Sequence, residues 1–247
     1  MKVVNEHLHF PKVKLISPNP SGYLLLAAEV DLHKRFFFRE SDTKKRLIKT
    51  CKSILEKVKG VENVLGANIF KALIIPPGRG KFLAQREGKV HIAKFDVVVL
   101  IETKNVDSAK SFQSNPLYAE LESALKKNSS YFYSIAASNT RRIDNVDHSR
   151  NGVFLFNYFF SDDTQQNLDI WEYTAGWFTS ETGLGNSTVL LPTNPQQAQY
   201  GIINHCRWDR LTDIVPSLIF KPSFRSYVLE NFEANHVAAI PILYQLA

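Results

Sequence analysis

The sequence has few cysteines and no long apolar run. Cys51 and Cys206 are the only cysteines among 247 residues, and no motif spacing relates them, so no disulfide framework is indicated. No apolar run approaches the length that spans a bilayer. The opening residues, MKVVNEHLHF, lack the apolar segment of a secretory signal. We therefore expect a protein that does not cross a membrane and works in a reducing compartment, by default the cytoplasm.

Recognisable catalytic and metal-binding motifs are also missing. The sequence contains no nucleophile elbow, phosphate loop or dinucleotide fingerprint. His7 and His9 form an H-x-H pair, and His205 adjoins Cys206 in a predicted strand, where neighbouring side chains point to opposite faces. Neither pair supplies a recognisable ligand set, so we expect no metal site.

Positive charge is concentrated in the first part of the chain. The net charge is +6, yet residues 151–247 contain four Lys or Arg against nine Asp or Glu, a net charge of −5. A solvated basic face is the simplest interpretation. Attraction to an anionic ligand, to nucleic acid or to the acidic second half is left open.

Hydrophobic patterning predicts the same order of elements twice, strand-helix-strand-strand-helix-strand. The predicted strands cover 22–32, a run from Ala67, 95–103, 130–138, 152–160, 187–192, 200–208 and 237–246. The predicted helices follow Ser41, cover 106–127 with an interruption near Pro116, and cover 164–178 and 211–232. This repeat predicts an α+β chain of two tandem ferredoxin-like (βαββαβ) domains, at 1–140 and 151–247, with a polar linker at 139–151.

A short pattern in the second helical region of each half resembles a known family. The first half has Phe112, Ser114, Pro116 and Tyr118 in SFQSNPLYAELESAL, and the second half has Lys221, Pro222 and Phe224 in FKPSFRSYVLENF. From about Gly22 onward the chain resembles the dimeric α+β barrel superfamily, which includes antibiotic-biosynthesis monooxygenases, stress-responsive barrel proteins, haem-degrading oxygenases and chlorite-dismutase relatives. The resemblance implies a tandem fused form whose two sheets build an intramolecular barrel, as a monomer or a homodimer.

RNA-recognition motifs share this order of elements. Their third strand carries aromatic residues that stack on bases, and neither 95–103 nor 200–208 contains that pattern. Nucleic acid is therefore an unlikely partner by this criterion. In the barrel superfamily, ligands lie between a sheet and its helices. The resemblance therefore implies a ligand in that layer, and we expect it to be a small apolar or aromatic molecule.

The predicted strand IINHCRWD, residues 202–209, carries many polar side chains after two isoleucines. Alternation along a strand places His205 and Arg207 on one face, and Asn204 and Trp208 on the other. Buried polar groups are costly unless they are hydrogen-bonded. A cavity in the second domain, or a structural role such as hydrogen bonds across the barrel, would each account for them.

The corresponding strand of the first half is apolar through Val97, Val99 and Leu100, and only Glu102 and Thr103 interrupt it. We therefore expect the first domain to be mainly a scaffold, in which side chains fill the place that corresponds to the expected cavity of the second domain. All three tryptophans lie in the second half, where small Ala175 and Gly176 are expected to leave room for a flat apolar ligand.

The candidate residues follow from these patterns and from the resemblance. The candidate catalytic residues are His205, Asn157, Asn204 and Arg207, and the candidate substrate-binding residues are Trp171, Trp177, Phe178, Trp208, Tyr158 and Phe224. His205 would be the general base, and the amides or Arg207 would stabilise an oxyanion.

The resemblance implies a small-molecule enzyme similar to cofactor-independent monooxygenases, or an isomerase or cyclase, that acts on an aromatic or polyketide-like substrate. A non-catalytic ligand-binding or stress-associated barrel protein is an alternative, and so is a haem-binding protein. The haem-degrading relatives carry a histidine in the second helix, whereas YAELESALKK and FRSYVLENF contain none. We expect no cofactor, although His205 or His236 could replace that haem ligand.

Overall fold

The computed structural model describes residues 1–31, 37–77, 81–85, 88 and 90–247. Its strands are β1 (Gly22–Glu29), β2 (Val64–Ile74), β3 (Val97–Thr103), β4 (Tyr131–Asp144), β5 (Val153–Ser161), β6 (Ser187–Pro192), β7 (Ile202–Trp208) and β8 (Val237–Leu246). They close into one barrel in the order β1-β3-β2-β8-β5-β7-β6-β4. Each half contributes the same antiparallel arrangement of its own four strands, fourth-first-third-second, which is the ferredoxin-like sheet.

The helices cover the outside of this barrel. They are α1 (Asp42–Val58), α2 (Lys81–Gln85), α3 (Val106–Phe112), α4 (Pro116–Lys127), α5 (Thr164–Thr182), α6 (Leu211–Phe220), α7 (Glu230–Ala234) and a π-helical segment at Phe224–Leu229. Ser41 caps α1, since its side chain accepts a hydrogen bond from the Lys44 amide. Gly183 ends α5 in the left-handed conformation, at φ 68°. None of the described helices is long and apolar enough to cross a membrane.

Two seams join the halves into a single barrel. At one seam Phe70 of β2 pairs with Leu246 of β8, and at the other Asp144 of β4 pairs with Ser187 of β6. All strand pairs around the ring are antiparallel. The predicted fold class, two tandem ferredoxin-like units forming an intramolecular barrel, is confirmed.

Alternation along the strands separates the core into three layers. Residues such as Leu25, Phe95 and Tyr158 fill the barrel interior. A second layer, the second-half helix layer, lies between the sheet of that half and α5, α6 and α7. A third layer lies under α1, α3 and α4, where Leu47, Cys51 and Leu55 repeat at helical spacing.

Three boundaries differ from the sequence prediction. The first strand ends at Glu29, and Leu32 of the predicted strand lies outside the described residues. β4 continues to Asp144, into the segment predicted as linker, because it pairs with β6 there. The helical region predicted at 211–232 is interrupted at Lys221, which adopts an extended conformation, at φ −90° and ψ 112°, as expected before a proline.

An N-terminal arm, residues 1–16, packs on the second-half helix layer. Asn235 accepts a hydrogen bond from the Lys2 amide at 2.7 Å and donates one to the Lys2 carbonyl at 2.6 Å. Asn231 pairs with the backbone of Val4 in the same way, at 2.9 and 3.1 Å. Because both amides hold an extended backbone, the first residues of the chain complete the surface of its second half.

Candidate functional site

The two faces of β7 lead to two different environments. His205 points into the barrel, where its ring stacks on Phe156 at 4.1 Å between centroids. Asn204 and Trp208 point to the opposite side, into the second-half helix layer. The predicted alternation is confirmed. As a result, His205 does not share a cavity with Asn157 or Trp171, which lie with Asn204 on the helix side.

Several predicted substrate-binding residues surround a very small cavity in the second-half helix layer. Its volume is about 20 Å³, which holds about one water molecule. The predicted residues on its walls are Asn157, Trp171, Phe178, Asn204 and Trp208. A flat organic ligand therefore has no room there in this conformation.

Large rings and the N-terminal arm fill this layer. Trp177 is fully buried, donates to the Ser223 hydroxyl at 2.9 Å and packs against Phe224 at 5.2 Å. The expectation that Gly176 leaves ligand space is wrong, because a Cβ at this position would overlap the carbonyl oxygen of Pro11. The glycine allows the arm to approach α5 closely.

The polar residues of this layer form mainly structural contacts. Asn204 accepts a hydrogen bond from the Ser187 hydroxyl at 2.5 Å. Asn157 is paired with Asn204 across β5 and β7, and its buried Oδ1 has no partner among the described residues. Trp208 donates to the Thr182 hydroxyl at 3.0 Å.

A larger cavity lies at one end of the barrel and is called here the barrel-end cavity. Its volume is about 250 Å³. Its walls consist of Asn19, Tyr23, Leu100, Glu102, Asn145, Val146, His148, Thr188, Leu190 and His205. The segment 145–152 between β4 and β5 closes this end and brings His148 against His205.

His148 and His205 form a hydrogen-bonded imidazole pair. Their Nε2 atoms are 2.8 Å apart, and His205 Nδ1 lies 3.0 Å from the carbonyl oxygen of Leu155. A carbonyl can only accept, so His205 carries its proton on Nδ1. When both rings are neutral, His148 Nε2–H therefore donates to His205 Nε2. His148 Nδ1 is then an acceptor without a hydrogen-bond partner among the described residues.

Burial keeps both rings neutral. It lowers the pKa of His148 to about 4, where nearby Asp147 opposes the shift and Arg207 adds to it. It also lowers the pKa of His205 well below its ordinary value, and the neighbouring His148 lowers it further. Phe70 lies edge-on to the rings of both histidines, at 5.7 and 5.5 Å.

A carboxylate and a phenol line the opposite wall. Glu102 Oε1 accepts hydrogen bonds from the Ser21 hydroxyl at 2.7 Å and from the Tyr23 hydroxyl at 3.2 Å. Asn19 donates to the Tyr23 oxygen at 2.9 Å. Burial, followed by the charge of Glu102, raises the pKa of Tyr23 to about 12. β3 and β7 are four places apart in the ring of eight strands, so Glu102 and His205 face each other across the barrel.

Arg207 holds the closing segment in place. Its guanidinium donates to the Asn151 carbonyl at 2.5 Å and pairs with Asp209 at 2.8 Å. A Cβ on Gly152 would lie 2.6 Å from Arg207 Nε, so this position requires the close approach that glycine allows. Tyr158 lies within the barrel, where its hydroxyl is 3.4 Å from that of Tyr244.

The residues that line the cavity of the second-half helix layer do not fit haem. In the second-half helix layer the described cavity is lined by no histidine and is far smaller than a cofactor pocket of several hundred Å³. Of the two substitute ligands, His205 lies on the other face of the sheet, and His236 stacks on Phe82 at 5.5 Å. Within the described ranges, no group of three His, Cys, Asp or Glu side chains could hold a metal ion.

Comparisons with known proteins support the fold. The chain matches no family model and no curated protein. Its structure is similar to an anthrone oxidase-like protein, with a TM-score of 0.62 and 10% identity over 95% of this chain and 94% of that chain. It is also similar to a chlorite dismutase variant from Candidatus Nitrospira defluvii, with a TM-score of 0.53 and 9% identity over 94% and 93% of the two chains.

A haem-binding protein from Thermus thermophilus has a TM-score of 0.50 and 8% identity, over 96% of this chain and 95% of that chain. Identities this low show the fold alone. They confirm that the chain has the fold of the dimeric α+β barrel superfamily.

Of the residues that line the barrel-end cavity, only His205 was a candidate from the sequence, and His148 and Glu102 were among those missed. His148 lay in the segment interpreted as a linker, where no periodicity indicates contact with β7. Glu102 did give a signal, since it interrupts an otherwise apolar strand. Leu100 was expected to fill the corresponding place of the first domain together with Val97 and Val99. Instead it lines the barrel-end cavity, whereas the two valines pack under the helices of the first half.

Proposed function

We propose that the chain is a cofactor-independent small-molecule enzyme whose chemical step is proton abstraction in the barrel-end cavity. The observation that carries this proposal is the neutral imidazole pair on the cavity wall. Two hydrogen-bonded histidines with a fixed tautomer resemble a base and its positioning residue.

In this proposal His148 is the base and His205 is the positioning residue. His148 Nδ1 takes a proton from a C–H or O–H group of the substrate, which leaves a substrate anion and an imidazolium. The imidazolium keeps its Nε2–H bond to His205 Nε2, while the Leu155 carbonyl holds the other His205 nitrogen. His205, the base expected from the sequence, thus acts through His148.

The substrate anion then has two possible outcomes. Return of the same proton to another atom gives isomerisation or cyclisation without any further reactant. Alternatively, the carbanion adds to molecular oxygen, a named co-reactant, and the resulting peroxide anion takes back the proton from His148. Cleavage of the O–O bond of this hydroperoxide, with loss of water and of the second hydrogen on the same carbon, leaves a carbonyl oxygen there, which is oxygenation as in the monooxygenase-like enzymes that the sequence resembles. The anthrone oxidase-like protein with the same fold makes phenolic carbon acids the first compounds to test.

The cavity favours a compact substrate. Its volume of about 250 Å³ lies below the range of drug-sized pockets. Leu100, Val146 and Leu190 offer apolar contact to a ring, so the proposed substrate is a single-ring or similarly compact aromatic molecule. A large polyketide is disfavoured by this volume.

A second candidate is ligand binding without turnover. A base is most effective when its pKa is close to the working pH, and the pKa of about 4 for His148 lies well below neutrality. In an enzyme, the charge of the bound substrate anion would raise the pKa of His148. A protein that binds its ligand without turnover does not require this increase.

The test measures proton exchange directly. The protein is incubated in D₂O with anthrone and with a panel of single-ring phenols and enolisable ketones, and carbon-bound deuterium and oxygen uptake are both recorded. We expect exchange with at least one compound and its loss in His148→Asn and His205→Asn. The control is His91→Asn, since His91 pairs with Glu29 at 2.7 Å at the other end of β1.

Exchange that persists in folded His148→Asn would overturn the assignment of the base. Binding of compounds in the cavity without any exchange would favour the second candidate. Absence of both would contradict the proposed site.

A further inference from the structure

We propose that the barrel-end cavity recognises a substrate that carries an ammonium-type nitrogen, with Glu102 as its counter-charge. This inference rests on the proposed function and names the class of substrate for the same site. Three observations carry it: the charge of the lining, the hydrogen-bonding state of Glu102, and the place of Glu102 in the barrel.

The lining of the cavity carries one formal charge. Of its ten residues, Glu102 is the only acidic one, and the lining includes no Lys or Arg. The two imidazoles are held neutral by burial. An anionic ligand would thus meet a carboxylate without a compensating cation, whereas a cationic ligand would neutralise it.

Two arginines that contact the closing segment are engaged by partners other than Glu102. Arg142 donates to the Ser17 carbonyl at 2.6 Å and to the Asn145 side chain at 2.7 Å. Arg207 binds the Asn151 carbonyl and Asp209. Neither lines the cavity or forms a described ion pair with Glu102.

Glu102 also offers a free acceptor. Its Oε1 takes the hydroxyl protons of Ser21 and Tyr23, while its Oε2 has no hydrogen-bond partner within the described part of the chain. Because the hydroxyl protons of Ser21 and Tyr23 are both donated to Oε1, Oε2 is the acceptor that Glu102 offers to a ligand. Charge-assisted N–H···O bonds to a carboxylate are among the strongest that a ligand can form.

The geometry orients such a ligand toward the base. Glu102 on β3 faces β7 across the barrel, and His148 Nδ1 on the far side is also an acceptor. A nitrogen held at Glu102 would direct the rest of the molecule past Leu100 and Leu190 toward the imidazole pair. The cavity thus suits a molecule that places a hydrogen-bond donor near Glu102 and an acidic proton near His148.

The test compares three probes that share one ring: benzylamine, benzyl alcohol and benzoate. Binding is measured by isothermal titration at neutral pH, and the site is identified from the imidazole NMR signals of His148 and His205. We expect benzylamine to bind at least about tenfold more tightly than benzyl alcohol, and benzoate not to bind, because only the amine forms a charge-assisted bond.

Glu102→Gln keeps the shape of the side chain and removes its charge, and it should abolish the preference for the amine. Glu122→Gln is the matched control, since Glu122 forms a surface ion pair with Lys126 at 3.0 Å. Equal binding of the alcohol and the amine, tighter binding of benzoate, no binding of any probe, or an unchanged preference in Glu102→Gln would each overturn the inference.

His148→Asn separates this inference from the proposed function. If Glu102 alone recognises the nitrogen, this variant keeps the preference for benzylamine while it loses proton exchange. Amine binding without exchange in the wild type would refute the catalytic proposal and leave the inference intact. If the wild type exchanges protons of neutral or anionic compounds and shows no preference for benzylamine, the inference is refuted and the catalytic proposal is left intact.

Discussion

At the scale of single residues, His148 shows how burial sets the charge of a side chain. The ring is enclosed by Phe70 and Phe154, and it donates to another neutral ring rather than to a carboxylate. The nearby charge of Asp147 offsets only part of the cost of charging it, so its pKa falls to about 4 from the ordinary 6.5. Because the pKa of His148 differs between the folded and the unfolded chain, protonation of this ring is coupled to folding.

We predict that His148 makes the protein less stable in mild acid. Between pH 6.5 and about 4 the unfolded chain binds a proton at this ring and the folded chain does not. The free energy of unfolding should therefore be insensitive to this group above pH 6.5 and fall as the pH drops through that window. At about pH 5 the loss should be on the order of 2 kcal/mol.

Urea unfolding at about pH 7 and pH 5 measures this effect. His148→Asn should lose part of the acid sensitivity, while His91→Asn should retain it, since His91 lies outside the imidazole pair. An identical pH dependence in the wild type and in His148→Asn would show that folding does not lower the pKa of His148.

At this scale the sequence predicted which face of a strand each side chain lies on, but it did not predict which distant residue each side chain contacts. Alternation placed His205 and Asn204 on opposite faces of β7, since strand geometry is local. The contact between His148 and His205 joins residues 57 positions apart through an irregular segment. No local periodicity encodes such a contact, so the sequence did not indicate the pair.

At the scale of elements, helix α5 depends on a chain segment far from it in sequence. The arm passes so close to α5 that only glycine fits at position 176. The sequence interpretation treated this small residue as ligand space. A small residue on a helix face accommodates either a ligand or another backbone, and the sequence alone does not distinguish them.

We predict that Gly176→Ala destabilises the protein by displacing the arm. Alanine is the better helix former by about 1 kcal/mol, so propensity alone would favour the change. The overlap with the Pro11 carbonyl should outweigh it and give a net loss of about 1–3 kcal/mol. Thermal unfolding measures the loss, and limited proteolysis should cleave residues 1–16 faster in the variant.

Gly185→Ala is the matched control, since a Cβ at this position meets open space. It should change stability by no more than about 0.5 kcal/mol. Equal stability of Gly176→Ala and Gly185→Ala would mean that the arm does not pack tightly on α5 in solution.

At the scale of the whole molecule, the repeat in the sequence predicted two ferredoxin-like units because both halves had the same order of elements, and the family resemblance implied that the two units form one barrel. The strands were recognisable from apolar runs, and the fourth-first-third-second order follows from the ferredoxin-like pattern. The seams could not be read from any local pattern. The seam between β4 and β6 depends on β4 extending to Asp144, through residues polar enough to resemble a linker.

A shared barrel interior predicts that the two halves unfold together. Phe95 of the first half contacts Tyr158 and Tyr200 of the second, at 5.1 and 6.3 Å between ring centroids. All three tryptophans lie in the second half, so tryptophan fluorescence reports on that half while far-UV circular dichroism reports on both. We expect the two urea transitions to coincide.

A substitution in the first half sharpens this last prediction. Leu25 is fully buried inside the barrel, and Leu25→Ala should cost about 2–5 kcal/mol. The urea transition followed by tryptophan fluorescence should shift to a lower urea concentration because of this loss of stability, although every tryptophan lies in the other half. Leu65→Ala is the control, since Leu65 is 63% exposed and its removal should change little. A tryptophan midpoint that stays in place while the circular dichroism midpoint falls would mean that each half folds by itself and the barrel interior does not couple them.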